Sequence, residues 1–111
     1  MKISEAIEKL NFETVVMSDP NAEVNGCYVG DLLSWVMGRA EADNLWITIM
    51  TNINTVAVAS LSGVAAIVIA EGLDVPENVI DAATTQGINI VKSQKPIFET
   101  SVDVGRLFGI L

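Results

Sequence analysis

Apolar and polar positions along the chain fall into blocks whose spacing becomes regular beyond residue 44. Residues 45–50, 65–70 and 88–91 are short runs built mostly of Leu, Ile, Val, Ala and Trp, with Asn, Ser, Gly or Lys at their borders. Runs this brief, enriched in β-branched residues, predict buried strands. Residues 53–62, 76–86 and 96–108 instead mix apolar and polar positions as helices do. The strands begin about 20 and 23 residues apart, the length of a minimal strand–helix unit. Gly63 and Gly87 stand just past two helix ends, and Pro76 and Pro96 read as first helical positions, in keeping with the preference of Gly for helix ends and Pro for helix starts. Three consecutive strand–helix units with right-handed crossovers predict an α/β fold, a mostly parallel sheet with helices on both faces.

Ahead of residue 44 the punctuation is different. Residues 4–10 read as a short helix with Ser4 as N-cap, Glu5 in the first turn, and Ile3, Ile7 and Leu10 on one side. Residues 12–17 read as a strand, Asp19-Pro20-Asn21 as a turn, and residues 26–29 as a short extended piece. Asp31 stands where it would cap a helix over residues 32–37, ended by Gly38. Residues 1–111 form one domain, because a chain of this length buries roughly two thirds of its unfolded surface and needs no metal or disulfide to hold a core.

Composition narrows what such a domain does. Residues 44–70 carry no charge and imitate a membrane span, but Asn52, Asn54, Ser60, Ser62 and Gly63 would place polar groups at membrane depth, so no membrane role is expected. Half the residues are apolar and the mean hydropathy is +0.46, more than a small monomer covers. A homodimer is therefore expected, its interface drawn from residues 35–37 or from the helix over 98–108. Fourteen acidic against 6 basic residues leave a charge of -8, which excludes a nucleic-acid partner. There is no His and one Cys, Cys27, so zinc sites and Ser/His or Cys/His catalysis lack their parts, and neither metal, cofactor nor enzyme activity is expected. The opening Met1-Lys2-Ile3-Ser4-Glu5 has no apolar leader and the lone Cys suits a reducing compartment, so the expected location is the cytoplasm.

Ligands of open parallel sheets bind beyond the carboxyl ends of the strands. Those exits carry Thr51-Asn52-Ile53-Asn54, then Glu71-Gly72, then Lys92-Ser93-Gln94-Lys95. Thr51, Asn52, Asn54, Glu71, Gly72, Lys92 and Ser93 are accordingly the candidate ligand-binding residues. The simplest role of Asn52 is a helix cap, and Glu71, with no partner to tune it as a base, reads as a solvated carboxylate. Lys92 and Lys95 are the only clustered cations, and an anion beside them would also feel the start of the last helix. Lys92-Ser93 is no phosphate loop, since Ile90 and Val91 stand where glycines would be needed.

From about residue 26 to 107 the wording of the chain resembles the DRTGG domain, a module found in HPr kinase/phosphorylase, in long phosphotransacetylases and as small stand-alone bacterial proteins. The residues that carry the likeness are Val29-Gly30-Asp31-Leu32-Leu33-Ser34, Trp46-Ile47-Thr48-Ile49 with Asn54-Thr55-Val56-Ala57-Val58-Ala59, and Ala65-Ala66-Ile67-Val68-Ile69-Ala70-Glu71-Gly72. Where the family has Asp-Arg this chain has Thr51-Asn52, and where it has Thr-Gly-Gly this chain has Ala70-Glu71-Gly72. The resemblance implies an accessory regulatory module in an α/β fold, often dimeric and with no settled activity of its own. Together with the polar sheet edge it leads to the expectation of a non-catalytic ligand-sensing or protein-interaction homodimer, with a small anionic metabolite or a partner protein as its target. The alternative is a small nucleotide- or anion-binding protein or enzyme that uses the same sheet edge.

Overall fold

The computed structural model describes residues 1–111, in the order α1 (Ile3–Leu10), β1 (Glu13–Val16), β2 (Gly26–Val29), α2 (Leu33–Arg39), β3 (Asn44–Thr48), α3 (Ile53–Ser62), β4 (Ala66–Ile69), α4 (Glu77–Gln86), β5 (Ile90–Lys92) and α5 (Ile97–Leu107). The five strands lie in one sheet in the order β1-β5-β4-β3-β2. β2, β3, β4 and β5 are mutually parallel, and β1 closes one edge antiparallel to β5. The expected α/β architecture is therefore present, with the three regular strands parallel as predicted. No helix is long and apolar enough to cross a membrane, and the uncharged stretch 44–70 resolves into β3, α3 and β4.

Alternation along the strands divides the core in two. Trp46, Ile67, Ile69 and Ile90 face α2, α3 and α4 through Val36, Val56 and Val79, while Leu45, Ile47, Val68 and Val91 face α1 and α5 through Ile3 and Val104. Both faces of each central strand are thus covered, which is why β3 and β4 contain no exposed residue and could be read as nearly unbroken apolar runs. Trp46 is fully buried, and its indole N–H donates to the Gly30 carbonyl at 2.9 Å, so the largest core side chain leaves no polar atom unpaired.

Helix ends follow the punctuation in part. Asn52 caps α3, accepting from the N–H groups of Asn54 and Thr55, and Gly63 and Gly87 end α3 and α4 in the left-handed conformation. Four expectations need correction. Ser4 is not an N-cap: α1 starts one residue earlier because the Lys2–Glu23 bridge brings the Ile3 N–H onto the Ala22 carbonyl at 2.9 Å, which supplies the partner a cap would have. Pro76 and Pro96 sit at the N-caps, where an extended ψ leaves their carbonyls free to accept the first helical bonds. α2 runs through Gly38 to Arg39, whose guanidinium stacks 4.0 Å over the Trp35 ring one turn earlier. Asp31 does not cap α2, and its carboxylate is used elsewhere, as described below.

Candidate functional site

The crossovers from β2 to β5 step across the sheet in one direction, with α2, α3 and α4 all on the same face. α5 breaks this pattern by leaving β5 for the opposite face, beside α1. Adjacent strands β4 and β5 therefore send their chains to opposite sides, and the gap outside their carboxyl ends is the topological switch point at which α/β sheets bind ligands. The residues that meet there are Glu71 and Gly72 after β4 and Ser93 after β5. The Gly72 N–H donates to the Ser93 carbonyl at 2.9 Å, and the Glu71 N–H to the Lys95 carbonyl at 2.8 Å, which ties the two loops together.

Glu71 and Gly72 both have positive φ, 68° and 63°. For Gly72 this is unstrained, and a Cβ there would fall 2.7 Å from the Gln94 side-chain oxygen. For Glu71 it is an uncommon conformation that holds the carboxylate over the start of α5, where it accepts from the Ile97 N–H at 2.7 Å. The carboxylate is exposed to water yet partnered, at the end of the helix where negative charge is favoured. Ser93 is buried: its Oγ accepts from the Lys95 N–H, and it lies 2.7 Å from the Thr100 Oγ1. The Thr100 Oγ1 also lies 3.2 Å from the Lys95 carbonyl, so the two hydroxyls sit in one buried network within the β5–α5 loop.

The other candidates are placed apart from this gap or committed to neighbours. Lys92 extends on the α4 face, between Glu13 at 3.5 Å and Asp74 at 3.7 Å, so two carboxylates already answer its charge. Lys95 bonds Asp103 at 2.7 Å, and that contact holds its ammonium above the usual lysine pKa. Thr51, Asn52 and Asn54 stand at the β3 exit, with the Asn52 side chain spent on the start of α3. In the first turn of α3 the Thr55 hydroxyl is buried and has no hydrogen-bond partner.

Asp31 is the polar residue whose position at this edge the local pattern misassigns. Its carboxylate accepts from the buried Thr48 hydroxyl at 2.6 Å and from the Ile49 N–H at 3.0 Å, which staples the end of β2 to the end of β3. The D-x-x-S spacing explains the error, because the same residues fit a helix cap equally well in isolation. Cys27 sits half-buried on β2, and burial pushes its thiol pKa above the ordinary value. No three Cys, Asp or Glu side chains converge on a common point.

No protein-family model matches the sequence, and no curated protein is significantly similar to it. The chain is similar in fold to a solved structure of the CBS and DRTGG domains of the regulatory region of Clostridium perfringens pyrophosphatase, complexed with its activator diadenosine tetraphosphate. The fold is DRTGG-like. The match has a TM-score of 0.68 at 12% sequence identity and covers 93% of this chain but only 45% of that one, so the chain spans about half the length of the regulatory region it matches. At that identity the likeness is one of backbone architecture and carries no residue-level equivalence.

Proposed function

We propose that the chain is a non-catalytic regulatory module that senses a small anionic ligand at the carboxyl edge of its sheet and acts as a cytoplasmic homodimer. The observation that carries this reading is the switch point between β4 and β5, where the polar groups already have partners: the Glu71 carboxylate at the start of α5, the Ser93 hydroxyl in its contact with Thr100, and the Lys92 charge between Glu13 and Asp74. Such an edge offers polar groups for recognition but no free base or nucleophile to drive a reaction. The similarity to a regulatory region that binds a nucleotide activator supports sensing. Thr51, Asn52 and Asn54 at one exit, and Glu71, Gly72 and Ser93 at the next, are the residues we assign to the ligand edge, with Lys92 at its rim.

The dimer is supported by the apolar side chains left uncovered on one side. Leu32, Trp35 and Met37 on and before α2 are 60%, 54% and 49% exposed, and Ile53 at the start of the neighbouring α3 is 52% exposed. α5 leaves only Phe98 comparably exposed, while Val104 is buried in the core, so the α2 side is the better interface. Light scattering at micromolar concentration should give about twice 11.8 kDa, and a mass that stays at 11.8 kDa on tenfold concentration removes the dimer. Sensing is tested by thermal melts against nucleotides, acyl phosphates and other phosphorylated metabolites. A true ligand at 100 times its dissociation constant adds about 2.7 kcal/mol and raises the melting point by several degrees. A chain unmoved by all of them is a protein-docking module, and one that turns any of them over is an enzyme.

A further inference from the structure

The basic residues of this acidic chain are unevenly placed. Three of the six, Lys9, Lys95 and Arg106, line one cleft of about 590 Å³ bounded by the last turn of α1, the β5–α5 loop and the end of α5. Asp103 is the one carboxylate in its lining. Lys9 and Arg106 each stand in the last turn of a helix, where a cation is favoured by the helix dipole, but that accounts for each residue singly and not for their convergence with Lys95 on one concave surface. The Lys9 ammonium keeps a partner outside the lining, Glu5 at 3.2 Å, and Lys95 keeps Asp103. Arg106 is exposed at the cleft's rim, and its guanidinium makes no ion pair and no hydrogen bond, so its five donors are unanswered within the chain. Amide donors stand beside them at Asn11, held in the left-handed conformation at the end of α1, and at Gln94.

We infer that this cleft binds a small molecule through a diphosphate or similarly double-charged anionic group, with Arg106 as the bidentate fork and Lys9 and Lys95 as point charges. The inference rests on the sensing reading and gives it a ligand class. Three cations, of which Lys9 and Lys95 already share carboxylates and Arg106 does not, leave the cleft open to an anionic group, and the volume falls within the range of about 300–1,000 Å³ that holds small ligands. Ser93 lines the same cleft, so an anion there touches the loop that meets Glu71 and Gly72 at the switch point.

The test is calorimetric titration of the full chain with inorganic pyrophosphate and with ADP at low and at raised salt. Saturable binding that weakens with salt is expected, about tenfold weaker again in Arg106→Gln and weakened further by adding Lys9→Gln. Because the Arg106 side chain makes no ion pair and no hydrogen bond, that variant loses only the favourable charge at the end of α5 and should melt within about 4 °C of the parent, and Lys2→Gln, at the far end of α1, should bind like the parent. Binding that survives Arg106→Gln and Lys9→Gln together overturns the cleft while leaving sensing intact. No binding of either probe at millimolar concentration overturns the cleft as well, and sensing falls with it only if the wider metabolite melts are also flat.

Discussion

Glu71 brings two opposing contributions together at one residue, and substitution separates them. Its φ of 68° is a conformation that costs a residue with a Cβ about 1 kcal/mol relative to Gly. Its carboxylate, 2.7 Å from the Ile97 N–H, satisfies one of the unpaired donors at the start of α5, a contact worth about 1 kcal/mol in an exposed setting. Glu71→Ala removes the contact and keeps the strain, so it should destabilise the fold by about 1 kcal/mol. Glu71→Gly removes both and should lie close to the parent, while Glu71→Gln, which keeps an acceptor without the charge, should fall between. Urea unfolding followed by circular dichroism reads these as shifts of the midpoint at constant slope, and a difference of about 1 kcal/mol between the Ala and Gly variants corresponds to roughly 4 °C in melting temperature. If the Ala variant equals or exceeds the Gly variant, residue 71 is not held in the left-handed region, and the account of how Glu71 reaches α5 fails.

Three further outcomes follow from the same packing. Asn89 is buried and fully bonded, accepting from the Asp19 N–H and donating to the carbonyls of Asp19 and Ala65, so Asn89→Ala should destabilise by about 2–4 kcal/mol; a loss under 1 kcal/mol in chemical unfolding would show that the residue 19–21 turn holds itself. Thr55→Val replaces a buried, unpartnered hydroxyl with a methyl of similar shape and should stabilise by about 1 kcal/mol, whereas a lower melting point would reveal a partner for that hydroxyl. Cys27, its thiol pKa raised above the ordinary value by burial, should react with a disulfide reagent at pH 8 more slowly than free cysteine; labelling as fast as free cysteine refutes this.

The parallel strands and their helices were legible because burial on both faces writes itself into β3 and β4 as continuous apolar runs, and because Asn52, Gly63 and Gly87 mark helix ends by local chemistry alone. What escaped was set by contacts distant in sequence. β1 lies beside β5 across a separation of about 77 residues, and nothing within Glu13–Val16 names its neighbour. Ser4 fails as a cap because a strand bridge from Glu23 reaches α1 first, and Asp31 turns away from α2 because Thr48 and Ile49 are closer to its carboxylate. The ion pairs of Lys92 with Glu13 and Asp74 span residues that only the fold assembles, so the lysine looked free in the chain and is committed in the molecule. The cleft of Lys9, Lys95 and Arg106 was invisible for the same reason, since α1 and α5 meet only through the second core.

The turn at residues 70–72 separates what the backbone requires from what the side chains recognise. Two successive residues with positive φ follow β4, and Gly is the residue type that takes such a pair without strain. This chain keeps the turn and Gly72 but accepts the strain of a side chain at position 71, and the side chain it carries is a carboxylate that reaches the start of the next helix. An anionic group of a ligand would otherwise find its donors at that spot. Glu71 therefore supplies from within the chain the negative charge that an empty switch point would draw from solution, and the unpaired guanidinium of Arg106 leaves the capacity for an external anion on the α1 side of the same loop. The anion inferred for the cleft would lie against Ser93 and Gln94, in the loop whose backbone meets Glu71 and Gly72 at the switch point.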